Sequence, residues 1–261
     1  MESVVDIPWL TLALFFSLLA IPLAISRLYQ LKISKEILLS VGRMTLQLLL
    51  VGVYLEYLFT LNSLMINIVW IALMMLIGAS AIISKAKLPR KPMIMPVVIG
   101  LLLGLLPVLS IITLVIIQPT PLYNAQYLVP LAGMLLGNSM SGNIVSLQSF
   151  FSALEERQGE YQAAISLGAS KEYATLPFVR EAIQRSLAPT LATMTTSGLV
   201  TLPGMMTGQI LGGASPIVAI KYQIMIMVAI FVMMSISITL SLRLTVRNCI
   251  NNQGKILVRS Q

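Results

Sequence analysis

Histidine is absent from this chain of 261 residues. Its absence removes serine–histidine triads, HExxH zinc sites and imidazole proton relays together. Cysteine occurs once, at Cys249, so neither an internal disulfide nor a thiolate metal cluster can form, and a free thiol near the tail is expected. Charge is scarce: 10% of residues are ionised at neutral pH, against roughly a quarter in soluble domains. No GxxxxGK[ST] loop occurs, since the Gly254-Lys255 pair lacks the upstream glycine, so ATP chemistry would have to come from another subunit. A GxSxG elbow and paired intramembrane aspartates are missing too, which leaves nothing for an intramembrane protease to use.

What fills the chain is apolar: 57% of it is hydrophobic, with a mean hydropathy of +0.91. Such a chain must use lipid as solvent. The bilayer core admits only helices or closed barrels, because no water satisfies the backbone there. The apolar runs are near the ~20 residues of a helix and not the ~10 of a barrel strand. The expected fold class is therefore all-α, a polytopic membrane protein of about seven spans, at 7–25, 37–59, 63–83, 94–117, 127–149, 187–211 and 217–240. No repeat or linker interrupts it, so 1–261 reads as a single domain. The N-terminus opens with Glu2 and Asp6 instead of a basic stretch, unlike a cleavable signal.

A net charge of +8 is a feature shared with nucleic-acid binders, but the cations alternate between connections, which is the pattern of membrane orientation. Arg27, Lys32 and Lys35 lie in the first connection, and Lys85, Lys87, Arg90 and Lys91 in the third. The fifth holds Arg157, Lys171, Arg180 and Arg185, and the tail holds Arg243, Arg247, Lys255 and Arg259. The intervening connections have none. The expectation is an N-terminus outside and a cytoplasmic C-terminus, with no nucleic-acid partner.

The fifth connection, 150–186, is long and polar, and reads as one or two cytoplasmic helices outside the bilayer. Inside it runs Gln162-Ala163-Ala164-Ile165-Ser166-Leu167-Gly168. Small residues suit a short helix seated in a partner's groove, and glycine suits its C-terminal turn. The string resembles the coupling-helix signature of ABC-transporter permeases, with Gln162 standing where that signature has glutamate and Glu160 two residues earlier.

Within the spans, Gly133, Gly137 and Ser141 recur every four residues, as do Gly204, Gly208 and Gly212, stripes suited to close helix contact. Pro203 removes a backbone donor and is expected to kink or break the sixth span. Interrupted spans often line substrate sites. The candidate substrate path is therefore Met134, Asn138, Met140, Pro203, Gly204, Met205 and Met206. Thioethers are soft metal ligands and equally apolar fillers, so metal contact stays open. Intramembrane polar groups are costly and tend to be paired. Arg43 and Gln47 lie one turn apart, and Arg43 is expected to pair; Glu56 and Lys221, near the outer ends, are expected to snorkel.

Several strings together resemble the permease family of Fet-type iron-export ABC transporters, which is related to the membrane subunit of a plant aluminium-tolerance transporter. They are Ser40-Val41-Gly42-Arg43 with Gln47, Pro130-Leu131-Ala132-Gly133-Met134 with Gly137-Asn138, Ser166-Leu167-Gly168-Ala169, Gly198 through Gly208, and Ala219 through Met225. The resemblance implies a half-size permease that pairs with itself and with two copies of a cytoplasmic ATPase subunit carrying ATP and Mg, and that binds no cofactor itself. It implies iron export across a bacterial cytoplasmic membrane and relief of oxidative stress. Another cargo, such as another metal or a nucleotide sugar, and an ATP-independent channel or carrier remain alternatives.

Overall fold

The structure is a computed structural model that describes residues 6–251 and Gly254. Glu2, Lys255 and Arg259 lie outside the described residues. Among the described residues ten α-helices follow one another: α1 (Trp9–Phe15), α2 (Ala20–Leu28), α3 (Ser34–Leu61), α4 (Leu64–Lys85), α5 (Arg90–Ile111), α6 (Ala125–Glu156), α7 (Gln158–Ser166), α8 (Lys171–Thr196), α9 (Gly204–Leu211) and α10 (Pro216–Cys249). A 3₁₀ turn joins α1 to α2, and a π turn, Ile112–Ile117, extends α5. Among the described residues there is no strand, only an isolated bridge between Ser197 and Thr201.

Six of these stretches are long and apolar enough to cross a membrane, so the chain is an all-α polytopic membrane protein. The expected sixth span, 187–211, is not a continuous helix. It divides into the end of α8, a break at 197–203, and the eight-residue α9. The break begins upstream of Pro203, at Gly198, whose φ of +86° suits the missing side chain. Pro203 itself stands as the N-cap of α9.

Local chemistry sets the other boundaries. Asn62 turns into the left-handed region (φ 38°) to close α3. The side chains of Asn124, Ser170 and Ser215 accept from backbone N–H groups of Gln126, Tyr173 and Val218 and start α6, α8 and α10. The turns fall at two ends of the bundle. The basic end carries 29–33, 86–89 and 157–170, and the neutral end carries 62–63, 118–124 and 212–215.

The core is built on α10. Its neighbour α5 approaches so closely that a Cβ on Gly100 would lie 2.8 Å from the Ser237 carbonyl oxygen, and one on Gly104 2.9 Å from that of Met233. Met93, Val97, Leu101 and Leu105 fill the same face of α5 and are fully buried. A polar seam joins α6 to α10: the fully buried Asn143 donates to Ser139 O at 2.8 Å and Ser237 Oγ at 2.9 Å. The lone thiol, Cys249, is buried and donates to Met93 Sδ at 3.5 Å.

The two expected small-residue stripes do not serve these contacts. A Cβ at Gly137 meets nothing within 4 Å, Ser141 is exposed, and only Gly133 is close to a neighbour, 3.2 Å from Met74 Cε. Gly204 and Gly208 face open space, and Gly212 meets only the carbonyls of its own turn. Close packing on α6 falls instead at Gly142, which faces Met234 and Ile238 of α10. The N-terminal helices stand apart from this core. No residue in the most apolar window of α3 is buried, and the helix meets the bundle chiefly where Leu58 joins Ala125 and Val129 and Tyr54 stacks on Trp70 at 4.2 Å.

Candidate functional site

Two regions gather some of the residues singled out by sequence: the corner at the basic end and a cavity toward the neutral end. The stretch 150–186 is not a detached pair of helices. It comprises the end of α6, the short α7 and the first turns of α8. Phe150, Phe151 and Leu154 of α6 and Ala174, Phe178 and Ala182 of α8 belong to the buried core, so only α7 and its turn project.

α7 has nine residues and buries one of them, Tyr161. Glu160, Gln162 and Ala163 are exposed, and Ala164 is half-buried against the core. Gly168 closes α7 as expected. It takes a φ of +88°, its N–H reaches Ile165 O at 2.9 Å, and the Ala169 N–H reaches Ala164 O at 3.0 Å. That pair of bonds is a Schellman ending, which satisfies carbonyls the helix leaves free. It leaves Leu167 89% exposed at the tip, an apolar knob without cover from the described residues.

Sequence reasoning missed the groups that hold α7. Arg157, at the corner between α6 and α7, pairs with Glu181 of α8 and stands 4.7 Å over the Phe178 ring. Glu181 also takes Arg185 at 2.6 Å. The Tyr161 hydroxyl donates to Gly254 O at 2.7 Å, and burial raises the pKa of the phenol. Lys171 donates to Ile250 O at 2.8 Å and Arg247 O at 3.1 Å. The alternation of Glu and Arg in 150–186 was visible, but a pairing across 24 residues has no signal in one sequence.

The cavity, of about 270 Å³, lies between α6, α9 and the start of α10. It brings Met134 and Met205 together, with Gln126, Tyr127, Gln209 and Tyr222 around them and Pro130 in the wall. Its donors are thus thioethers, amides and phenols. The buried Gln209 Oε1 has no hydrogen-bond partner among the described residues, an acceptor left for a guest or a water.

The other expected path residues are elsewhere. Asn138 is exposed, and its amide donates to Met134 O at 2.8 Å. Met140 packs against α4, where it fills the space beside Gly78, the role of a core filler. Met206 and Gly204 do not line the cavity. Arg43, Gln47, Glu56 and Lys221 are exposed, and none of them, Arg43 included, has a hydrogen bond or ion pair among the described residues. Nor is there a group of three or more Cys, Asp or Glu among the described residues that could hold a metal ion.

Comparison with known proteins gives a consistent picture. The family described as "Uncharacterised protein family (UPF0014)" matches residues 9–250. The UPF0014 membrane protein slr1647 of Synechocystis is 32% identical over 228 residues, which cover 87% of each chain. The "Probable iron export permease protein FetB" of Escherichia coli is 30% identical over 248 residues, covering 95% of this chain and 94% of that one. The protein ALUMINUM SENSITIVE 3 of Arabidopsis thaliana is 34% identical over 216 residues, 82% of this chain and 77% of that one. No solved structure matches.

Proposed function

The chain belongs to the UPF0014 family of membrane proteins, and from that premise we propose that it is the permease of an ATP-driven exporter, with iron as its cargo. A pair of these chains works in the bacterial cytoplasmic membrane with two ATPase subunits that carry ATP and Mg on the cytoplasmic side. The observation that carries this reading is the projecting corner at the basic end. There, a glycine-closed short helix leaves Leu167, Ala163 and Gln162 exposed, without cover from the described residues. An apolar knob flanked by small and polar groups suits insertion into a groove on a soluble partner.

The orientation expected from the cations puts this corner in the cytosol. ATP binding would close the two ATPase subunits and move α7. α8 would carry the movement to the break at 197–203 and so to Met205, one wall of the cavity. Neutral thioether and amide donors suit a cargo that must be released, since they hold a metal ion more weakly than thiolate. The cavity, near the lower limit for small-molecule sites, suits an ion or small chelate better than a nucleotide sugar. The iron assignment draws on the name of the E. coli relative.

The test is iron efflux from liposomes holding the chain and its ATPase. Gly168→Asp places a side chain and a charge at a φ of +88° beside the knob and is expected to stop ATP-driven efflux. Gly159→Ala, where a Cβ meets nothing within 4 Å, is expected to leave it unchanged. Efflux that persists in Gly168→Asp refutes the coupling role.

A further inference from the structure

α7 is too short to hold itself in place. Isolated helices below about 12 residues are marginal in water, and α7 has nine, of which only Tyr161 is buried. Its position is therefore set by its ties, and the firmest of these is at its start. Arg157 closes α6 and precedes α7 at φ −112° and ψ 36°, so its backbone is the corner itself. Its guanidinium pairs with one oxygen of Glu181, and Arg185 takes the other. Arg185 also reaches Ser149 Oγ on α6 at 3.5 Å. One carboxylate thus joins the α6–α7 corner, the shaft of α8 and the base of α6.

Exposed ion pairs contribute little because water screens them and side-chain entropy opposes them. This one differs in three respects. The Glu181 side chain is only 28% exposed, both of its oxygens are engaged, and Arg157 is pinned on the buried ring of Phe178. Networks with fixed, charge-assisted geometry hold orientation where single pairs do not. From Glu181 the shaft of α8 runs to Thr196, roughly 22 Å by helical rise, and ends at the break that leads to α9 and Met205.

We propose that Glu181 is a positioning residue, the centre of a joint with Arg157 and Arg185 that passes displacement of α7 into α8 and the base of α6. The inference rests on the proposed function, in which α7 meets the ATPase. Without the carboxylate, two guanidiniums face each other at the corner, α7 loosens, and ATP is hydrolysed without moving the shaft.

The test compares Glu181→Gln with Arg157→Lys in the full chain. In Glu181→Gln, amide hydrogen exchange across 158–166 is expected to rise at least tenfold, while α4 and α5 stay unchanged. In liposomes with the ATPase, hydrolysis is expected to stay within twofold of the native value while iron moved per ATP falls at least tenfold. Arg157→Lys, which keeps a cation over Phe178, is expected to retain more than half of native coupling. Native-like exchange or a native-like coupling ratio in Glu181→Gln overturns the joint. Loss of ATPase binding together with efflux also overturns it, by making the cluster part of the docking surface. A native chain that moves no iron with its ATPase refutes the export reading instead, and the joint falls with it.

Discussion

Gly100→Ala probes the close contact between α5 and α10. The new Cβ would stand 2.8 Å from Ser237 O and 3.1 Å from Ser241 N, both backbone atoms that cannot rotate away, and would also collide with Ser241 Oγ. Relief requires α5 and α10 to part by roughly 0.5 Å, enough to forfeit about a quarter of the dispersion attraction across the affected contacts. Overpacking of this kind costs about 1–3 kcal/mol, and alanine returns up to ~1 kcal/mol of helix propensity. With that return in full the net loss lies between about zero and 2 kcal/mol, a fall in Tm of up to about 8 °C for a chain of this size. The assay is thermal unfolding in detergent read by a thiol-reactive dye, because Cys249 is the sole thiol and is buried in the fold. Gly137→Ala is the reference: its Cβ meets nothing within 4 Å, so its Tm is expected to hold or rise. A Gly100→Ala chain that melts at or above Gly137→Ala refutes the packing argument.

Other perturbations separate packing from path. Asn143→Ala and Ser237→Ala, which remove the two ends of one buried bond, are expected to couple by ~0.6 kcal/mol in a double-mutant cycle of unfolding; additive effects would contradict the bond. Met134→Leu combined with Met205→Leu is expected to lower iron efflux at least tenfold, while Met140→Leu, in the filler position, stays within twofold; equal effects would deny the cavity its role. Burial holds the Tyr161 phenol above its usual value, so its stabilisation is present below that ordinary pKa and lost as pH rises through the raised one. Tyr161→Phe is therefore expected to flatten the fall in Tm at alkaline pH, and an unchanged alkaline slope would contradict this.

The long apolar elements were legible because length and hydropathy suffice for them. The expected 37–59 and 217–240 lie within α3 and α10, which run further at both ends because helices continue past the apolar window. The sixth span was not legible in the same way. Its composition reads as one run, but the helix ends at Thr196, where extended backbone at Ser197 and positive φ at Gly198 replace it. Glycine stripes were sought on the polar spans, whereas the pair that brings helices together is Gly100 and Gly104, a G-x-x-x-G spacing plain in the sequence but set in an otherwise uniform apolar run. Met134 and Met205 were both named, but only the fold brings them to one cavity and leaves Met140 and Met206 outside it. The joining of Arg157, Glu181 and Arg185 was not legible, since a single sequence carries no sign of which charges meet.

The side of the membrane on which the α7 corner stands is the most direct check on the account. Leu167→Cys places a thiol on a position that is 89% exposed, with Cys249 buried as a quiet background. A membrane-impermeant maleimide is expected to label Leu167→Cys in inverted vesicles and to leave it unlabelled in intact cells. Labelling from outside intact cells would put the corner beyond the reach of any ATPase and contradict the export mechanism.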